Sequence, residues 1–359
     1  CFGPMGKRGK YALNLRDDID QDRLAGPRIF TCGKILYINL KHPERIVIKQ
    51  KYQGFDFIKP YSYLTVEEFH EVMSTAKKIK IYVAGHIPFQ VGLDGILSEG
   101  MNEIAHVEEL LWELVDFDRC RYFENANVWM QYIIRASFQQ LEPFLTLTPH
   151  EIEQKIEEKV TATVEKLRDK GIPLCTTLVV DDVIVQKLLN PEQFLAKPEN
   201  RYLPDWYMNL FRQGKGKHQR QFKGGEVFAP LKYTIDKILL SRLKQAGITL
   251  LLSTDCGTGG MGIVPGFSLH DELRILVENG FTPYEAIACG TAKASGVIQK
   301  MNGRNDFGTI EPGKRADLIL VRKNPLKDVA NIRNPLGVMA AGRWYAQEKL
   351  HEWTPLSAL

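Results

Sequence analysis

The sequence predicts an α/β fold wound around a parallel sheet, and three observations lead there. Short β-branched runs alternate with amphipathic helical patterns over most of the chain, the pattern of βαβ units. The helices between those runs open on repeated capping signals. The length, 359 residues with 44% hydrophobic and 25% charged side chains, suits one large domain with a small appendage, or two mid-sized domains.

Strands are expected near Pro27–Cys32, Phe55–Lys59, Ile79–Gly85, Met101–His106, Ile172–Val180 and Ile248–Asp255. Thr65-Val66-Glu67-Glu68 is a capping box, in which threonine and glutamate each satisfy a backbone N–H of the first turn, and it opens a helix through Lys78. Thr148-Pro149-His150-Glu151 repeats the device with proline at the first helical position. That helix places Ile152, Ile156, Val160, Val164 and Leu167 on one face, and Gly171 ends it. Thr282-Pro283-Tyr284-Glu285 is a third such start. Six strands are two short of the eight that close a (β/α)8 barrel of the TIM type. If the run from Ile248 is the last strand, the first two strands are missing from this chain and belong upstream of Cys1.

From about Asp306 the pattern changes. Asp317–Val321 and Val338–Tyr345 read as strands between turns rich in Gly, Pro and Asn, with no crossover helix between them. The expected division is therefore residues 1–305 as an incomplete barrel and 306–359 as the C-terminal part of a composite β-sandwich. Two long excursions follow His106 and Val180, both at the strand ends that form the catalytic face of such barrels. The first holds Trp112, Phe117, Tyr122, Phe123, Trp129 and Tyr132, the second Tyr202, Trp206, Tyr207 and Phe211. These aromatics serve either as pocket walls or as a local core or subunit interface. The basic loop with Arg212, Lys215, Lys217, Arg220 and Lys223 reads as a solvated surface.

The bulk numbers exclude some classes. A net charge of +4 is too small at this size to imply a nucleic-acid or membrane partner. No apolar run approaches the roughly 18 residues of a transmembrane helix. The start, Cys1-Phe2-Gly3-Pro4-Met5-Gly6, has neither a basic nor an apolar leader region, and a truncated chain is the plainer reading than a lipoprotein cysteine. Six cysteines without a Cys-x-x-Cys pair signal neither a zinc ribbon nor a disulfide framework, and they read as small buried hydrophobes. The compartment, cytoplasmic or exported, stays open.

Four polar residues share one structural address, the C-terminal end of an expected strand: Lys59, His86, His106 and Asp255. The first three lie on consecutive strands, and neighbours in a sheet stand about 4.8 Å apart. Imidazole and carboxylate groups converging at such a rim suit zinc, manganese, iron or nickel. Singly each has a plainer reading: a hydrogen-bonded structural histidine, a solvated lysine, an aspartate capping the next helix. Their joint placement favours a metal hydrolase. Among the other histidines, His42, His70, His150, His218 and His351 are not read as ligands, and His270 reads as a capping or packing residue.

These residues resemble the amidohydrolase superfamily, in its imidazolonepropionase-like and prolidase-like branch. The matching stretches are Leu24–Ile29, Phe57-Ile58-Lys59, Val83-Ala84-Gly85-His86, Glu103-Ile104-Ala105-His106 and Ser253-Thr254-Asp255, then His270–Leu273, Gly290-Thr291-Ala292 and Gly308–Leu318. The resemblance implies a hydrolase of C–N bonds, a cyclic amide or a dipeptide-like substrate, working on a small molecule with two divalent metal ions, zinc foremost. It implies that His86 and His106 bind the second metal and that Lys59 is carboxylated to a carbamate bridging the two. It implies that Asp255 ligates the first metal and acts as general base toward a metal-activated water.

One departure is large: the family's His-x-His pair at the end of strand one occurs nowhere in this chain. Truncation is the expected cause, and the chain as it stands is expected to be inactive, with half its ligands gone. A lactonase or phosphotriesterase on the same scaffold and a non-catalytic binding protein are the competing readings. A homo-oligomer is left open.

Overall fold

The computed structural model describes residues 9–257 and 261–353, so the N-terminal stretch Cys1–Gly6 lies outside the described residues. Five strands form one parallel sheet: β1 (Phe57–Ile58), β2 (Tyr82–Gly85), β3 (Glu103–Ile104), β4 (Leu174–Cys175) and β5 (Leu250–Leu251). Their order in the sheet is their order in the chain. Phe57 pairs with Tyr82, Ala84 with Glu103, Ile104 with Leu174, and Leu174 with Leu250. Helices fill the crossovers: Val66–Ile79, Gly92–Ser98, Pro149–Lys170 and Phe228–Gln245. Parallel neighbours need such long connections, since a tight turn can join only antiparallel strands.

Side chains alternate across the sheet with the period of two that a pleated strand imposes. Ile58, Val83, Ile104, Leu174 and Leu250 join the main core with the crossover helices, all at 0% exposure. Phe57, Tyr82, Ala84 and Leu251 belong to a second cluster with Cys32 and Val297. Lys59 and His86 follow the parity of Phe57 and of Tyr82 with Ala84, so β1 and β2 deliver them to this second face.

Three boundaries differ from the sequence reading. The stretch expected as a strand over Pro27–Cys32 meets β1 through one isolated parallel bridge, Cys32 to Phe57, with a second bridge just beyond both, Leu36 to Pro60, so the described sheet has five strands where six were expected. The run Ile172–Val180 is strand only at Leu174–Cys175, and its β-branched end enters the helix Val179–Leu189. Tertiary hydrogen bonds override local propensity there. Thr177 adopts a left-handed φ of 56°, and the buried Glu272 carboxylate accepts from the backbone N–H of Leu178 at 3.1 Å and of Val179 at 2.6 Å. In the tail, β6 (Leu318–Leu320), β7 (Gly337–Ala340) and β8 (Arg343–Ala346) form an antiparallel sheet. The expected single strand Val338–Tyr345 is a hairpin, because Ala341 and Gly342 take φ of 51° and 81° and form its two-residue turn.

The capping signals are all present in atomic detail. Thr65 with Glu68, Thr148 with Glu151 and Thr282 with Glu285 each make both reciprocal bonds. The helix Pro149–Lys170 buries the five aliphatic residues of its expected face, and Gly171 closes it at φ 62°. Arg28 reaches across 278 residues of sequence to Asp306 with two parallel bonds of 2.8 Å, tying the stretch beside β1 to the start of the tail. The first excursion forms its own small core, in which Trp129 and Ile133 pack with Tyr63 and Phe89. Cys32 and Cys289 are buried, but Cys120 is exposed, against the expectation for the cysteines as a set. No helix among the described residues is long and apolar enough to cross a membrane.

Removing the hydroxyl that caps the longest of these helices leaves an N–H of its first turn without its partner. Thr148→Ala is expected to cost about 1 kcal/mol of unfolding free energy, read from urea melts. A midpoint equal to wild type would mean that this end of the helix frays in solution.

Candidate active site

Lys59, His86, His106 and Asp255 arrive from the ends of β1, β2, β3 and β5, and all four line one cavity of about 310 Å³. Tyr61, Ser62, Glu108, Glu109, His218 and Lys232 stand in the same wall. The two imidazole rings lie 4.8 Å apart between centroids, and the Tyr61 ring lies 4.0 Å from that of His86.

Each imidazole has its Nδ1 engaged, which fixes the ring and leaves Nε2 as the remaining nitrogen. His86 Nδ1 is 2.5 Å from a Glu109 oxygen and 3.3 Å from the Ser62 hydroxyl. The other Glu109 oxygen accepts from the Ile87 N–H at 3.0 Å, so backbone holds the carboxylate that holds the ring. His106 Nδ1 is 3.1 Å from the Thr177 hydroxyl. Burial lowers His86 to about 3 and His106 to about 4, so both rings are neutral near pH 7. Burial pushes Glu109 up to about 7, and the His86–Glu109 contact is better described as a shared-proton hydrogen bond than as a full ion pair.

Two backbone positions at this rim are held in an unfavourable region. Asp255 has φ 48° and Thr177 has φ 56°, and a β-branched residue there is a genuine outlier. Such positions cost on the order of 1–3 kcal/mol each and persist only where the surroundings over-determine them. At Thr177 the surroundings include its N–H bond to Ser253 O, at 3.2 Å, and its hydroxyl contact with His106. The strain at Thr177 is therefore coupled to the orientation of an imidazole.

Behind the imidazoles lies a buried charge cluster. Lys232 Nζ is 2.8 Å from Glu108, 2.7 Å from Asp181 and 2.8 Å from Asp236. Burial disfavours the ammonium, but Asp181, Asp236 and Glu108 together outweigh it and hold Lys232 charged, well above its ordinary value. Burial pushes Asp181 and Asp236 up. The basic loop also turns inward. His218 is buried, with Nδ1 2.8 Å from Lys187 Nζ, and Lys187 donates to the Met261 carbonyl at 2.6 Å. Burial lowers Lys187 to about 7 and takes His218 well below its usual range, so the imidazole of this contact is neutral near pH 7. His270 stands elsewhere, lining a separate cavity with Phe267 and Arg333.

Neutral imidazoles with an occupied Nδ1 have the chemistry of metal ligands, whose second nitrogen is commonly fixed in this way. The structure does not assemble a full set from them. Among the described residues, no group of three or more His, Cys, Asp and Glu side chains stands together as a metal cage. His86 and His106 thus fit a divalent ion as a pair, and further ligands have to come from other groups.

Sequence comparison agrees with this architecture. Residues 208–345 match the amidohydrolase family model. Imidazolonepropionase of Streptomyces griseus is 42% identical over 82 residues, 22% of this chain and 19% of that protein. Ochratoxinase of Aspergillus niger is 34% identical over 95 residues, 26% of this chain and 18% of that one. These alignments therefore span less than a fifth of either relative. Among solved structures, a bottromycin amidohydrolase superposes with a TM-score of 0.64 at 21% identity, covering 97% of this chain and 72% of that one. A Xaa-Pro dipeptidase gives 0.59 at 19%, covering 95% and 74%. At such identities the superpositions speak to the fold. The sequence matches, taken by themselves, support an amidohydrolase superfamily member.

Residues that the sequence reading passed over stand in the same wall as the four it singled out. Glu108 and Glu109 follow His106 by two and three positions, and Tyr61 follows Lys59 by two, so adjacency to a strand end was the signal available for them. Lys232 and His218 carried none: one sits within the helix Phe228–Gln245 and the other in the short helix Lys217–Gln221, too brief to show a periodicity. Lys232→Met should strand three carboxylates around an apolar side chain and lower stability by about 3–5 kcal/mol. Chemical denaturation at neutral pH checks this, and a loss under about 1 kcal/mol would show that the cluster discharges itself at little cost.

Proposed function

We propose that the protein is a metal-dependent hydrolase of C–N bonds acting on a small-molecule amide. One observation carries the reading: Lys59, His86, His106 and Asp255, from four separate strand ends, line a single cavity. The relatives named imidazolonepropionase and ochratoxinase, together with the dipeptidase fold neighbour, support the same class of bond. In this reading His86, His106, Lys59 and Asp255 would hold divalent ions, zinc foremost. Such an ion supplies Lewis acidity, polarising a carbonyl and making a water more acidic.

The chain's own groups account for the rest of the reaction. Asp255 takes a proton from the attacking water and returns it to the leaving nitrogen. The water oxygen bonds to the acyl carbon, the C–N bond breaks, and the amine departs with the proton. Glu109 and Ser62 hold the His86 ring, and Thr177 holds that of His106, so neither imidazole has to be ordered when substrate arrives. Tyr61, beside His86, forms part of one wall. Burial alone would raise Glu108, but Lys232 beside it is the main group that outweighs this and lowers it to about 2, at the back of the chamber.

The test uses protein expressed from its complete reading frame, loaded with zinc, and offered amides, lactones and phosphotriesters. Amide turnover is expected to dominate, and Asp255→Asn should lower kcat by a factor on the order of 100 or more with an unchanged melting temperature. Wild-type rates in that variant would move the proton transfer elsewhere, and dominant lactone or phosphotriester cleavage would replace the amide assignment.

A further inference from the structure

The chamber that holds the four strand-end residues adjoins a second, larger cavity. This outer cavity measures about 1230 Å³ and shares Ile35, Tyr61, Phe138 and Lys217 with the inner one as common walls. Small-molecule sites span roughly 300–1,000 Å³. The inner chamber lies at the bottom of that range and the outer one beyond its top, so a compact amide would fill the first and leave the second to solvent.

Charge in the outer cavity is of one sign. Lys34, Arg135, Lys217, Arg220 and Lys223 line it, and no Asp or Glu does. All five are exposed, and among the described residues none of them stands in an ion pair, in contrast to Arg119, Lys232 and Arg242. A concave wall with cations alone raises the local concentration of anions. Arginine is also the side chain best matched to a carboxylate, through two parallel N–H bonds.

An aromatic path joins this rim to the reaction chamber. Tyr37, on the exposed edge, has its ring 5.1 Å from those of both Tyr61 and Tyr63. Tyr61 in turn lies 4.0 Å from the His86 ring. Apolar faces therefore run from the cationic rim to the imidazoles.

Resting on the hydrolase reading above, the geometry points to an extended amphiphilic anion as the substrate. A small acyl group and its C–N bond occupy the inner chamber, an apolar or aromatic body lies along the tyrosines, and a carboxylate at the far end meets Lys217, Arg220 and Arg135. The basic loop after Val180 then sets specificity.

Isothermal titration of the same zinc-loaded protein with 4-(4-acetamidophenyl)butanoate, its carboxamide and N-acetylglycine separates length from charge. The long acid is expected to bind on the order of tenfold more tightly than either of the others. In the Lys217→Gln/Arg220→Gln variant the acid-over-carboxamide ratio should fall below about threefold, and roughly 0.5 M salt should do the same to wild type. Equal affinities for acid and carboxamide in wild type, or an unchanged ratio in a variant that melts like wild type, overturn the inference. Arylamine release is followed in parallel. Protein that keeps the preference but cleaves nothing supports the anion site and removes the hydrolase reading. Protein that cleaves acid and carboxamide with equal kcat/KM removes the anion site and leaves the hydrolase reading standing.

Discussion

Parallel pairing brings the C-terminal ends of successive strands to one edge of the sheet, and most of this molecule's chemistry follows from that constraint. Because β1 to β5 pair in chain order, residues separated by up to 196 positions, Lys59 and Asp255, line the same small cavity. The crossover helices give the sheet its rigidity, and their capping boxes and buried faces are the local means by which the sequence builds them. A rim assembled in this way positions side chains from different strands with no dependence on loop order.

Burial then decides the charge states at the rim. It keeps His86 and His106 neutral, as a ligating imidazole must be, and assigns each Nδ1 to a fixed neighbour. The same burial would be ruinous for Lys232 without Asp181, Asp236 and Glu108 around it. The left-handed Thr177 and Asp255 extend the pattern, with unfavourable backbone tolerated where it aims or supports a functional group. Stability and site geometry draw on the same contacts here, so substitutions behind the imidazoles will be felt in both.

Much of this was legible in the sequence where a residue's role is set by its neighbours in the chain. Threonine and glutamate three apart specify a capping box, and the alternation of Tyr82, Val83 and Ala84 between two buried faces follows from the pleat. The four strand-end residues could be picked out because a polar residue closing an apolar run is a local event. What escaped depends on contacts distant in sequence. The β-branched Val179 and Val180 enter a helix because Glu272, more than ninety residues away, accepts from the backbone at its start. His218 reads as part of a solvated basic loop until the fold places it against Lys187. The hairpin at Ala341-Gly342 was hidden because alanine gives no hint of a left-handed φ.

In the reading proposed above, the two imidazoles face a common cation site at the sheet's edge. Anomalous diffraction from zinc-loaded crystals tests it most directly. A zinc peak is expected within roughly 2.0–2.1 Å of a nitrogen of both His86 and His106. Zinc bound elsewhere, with those two rings turned from one another, would contradict it.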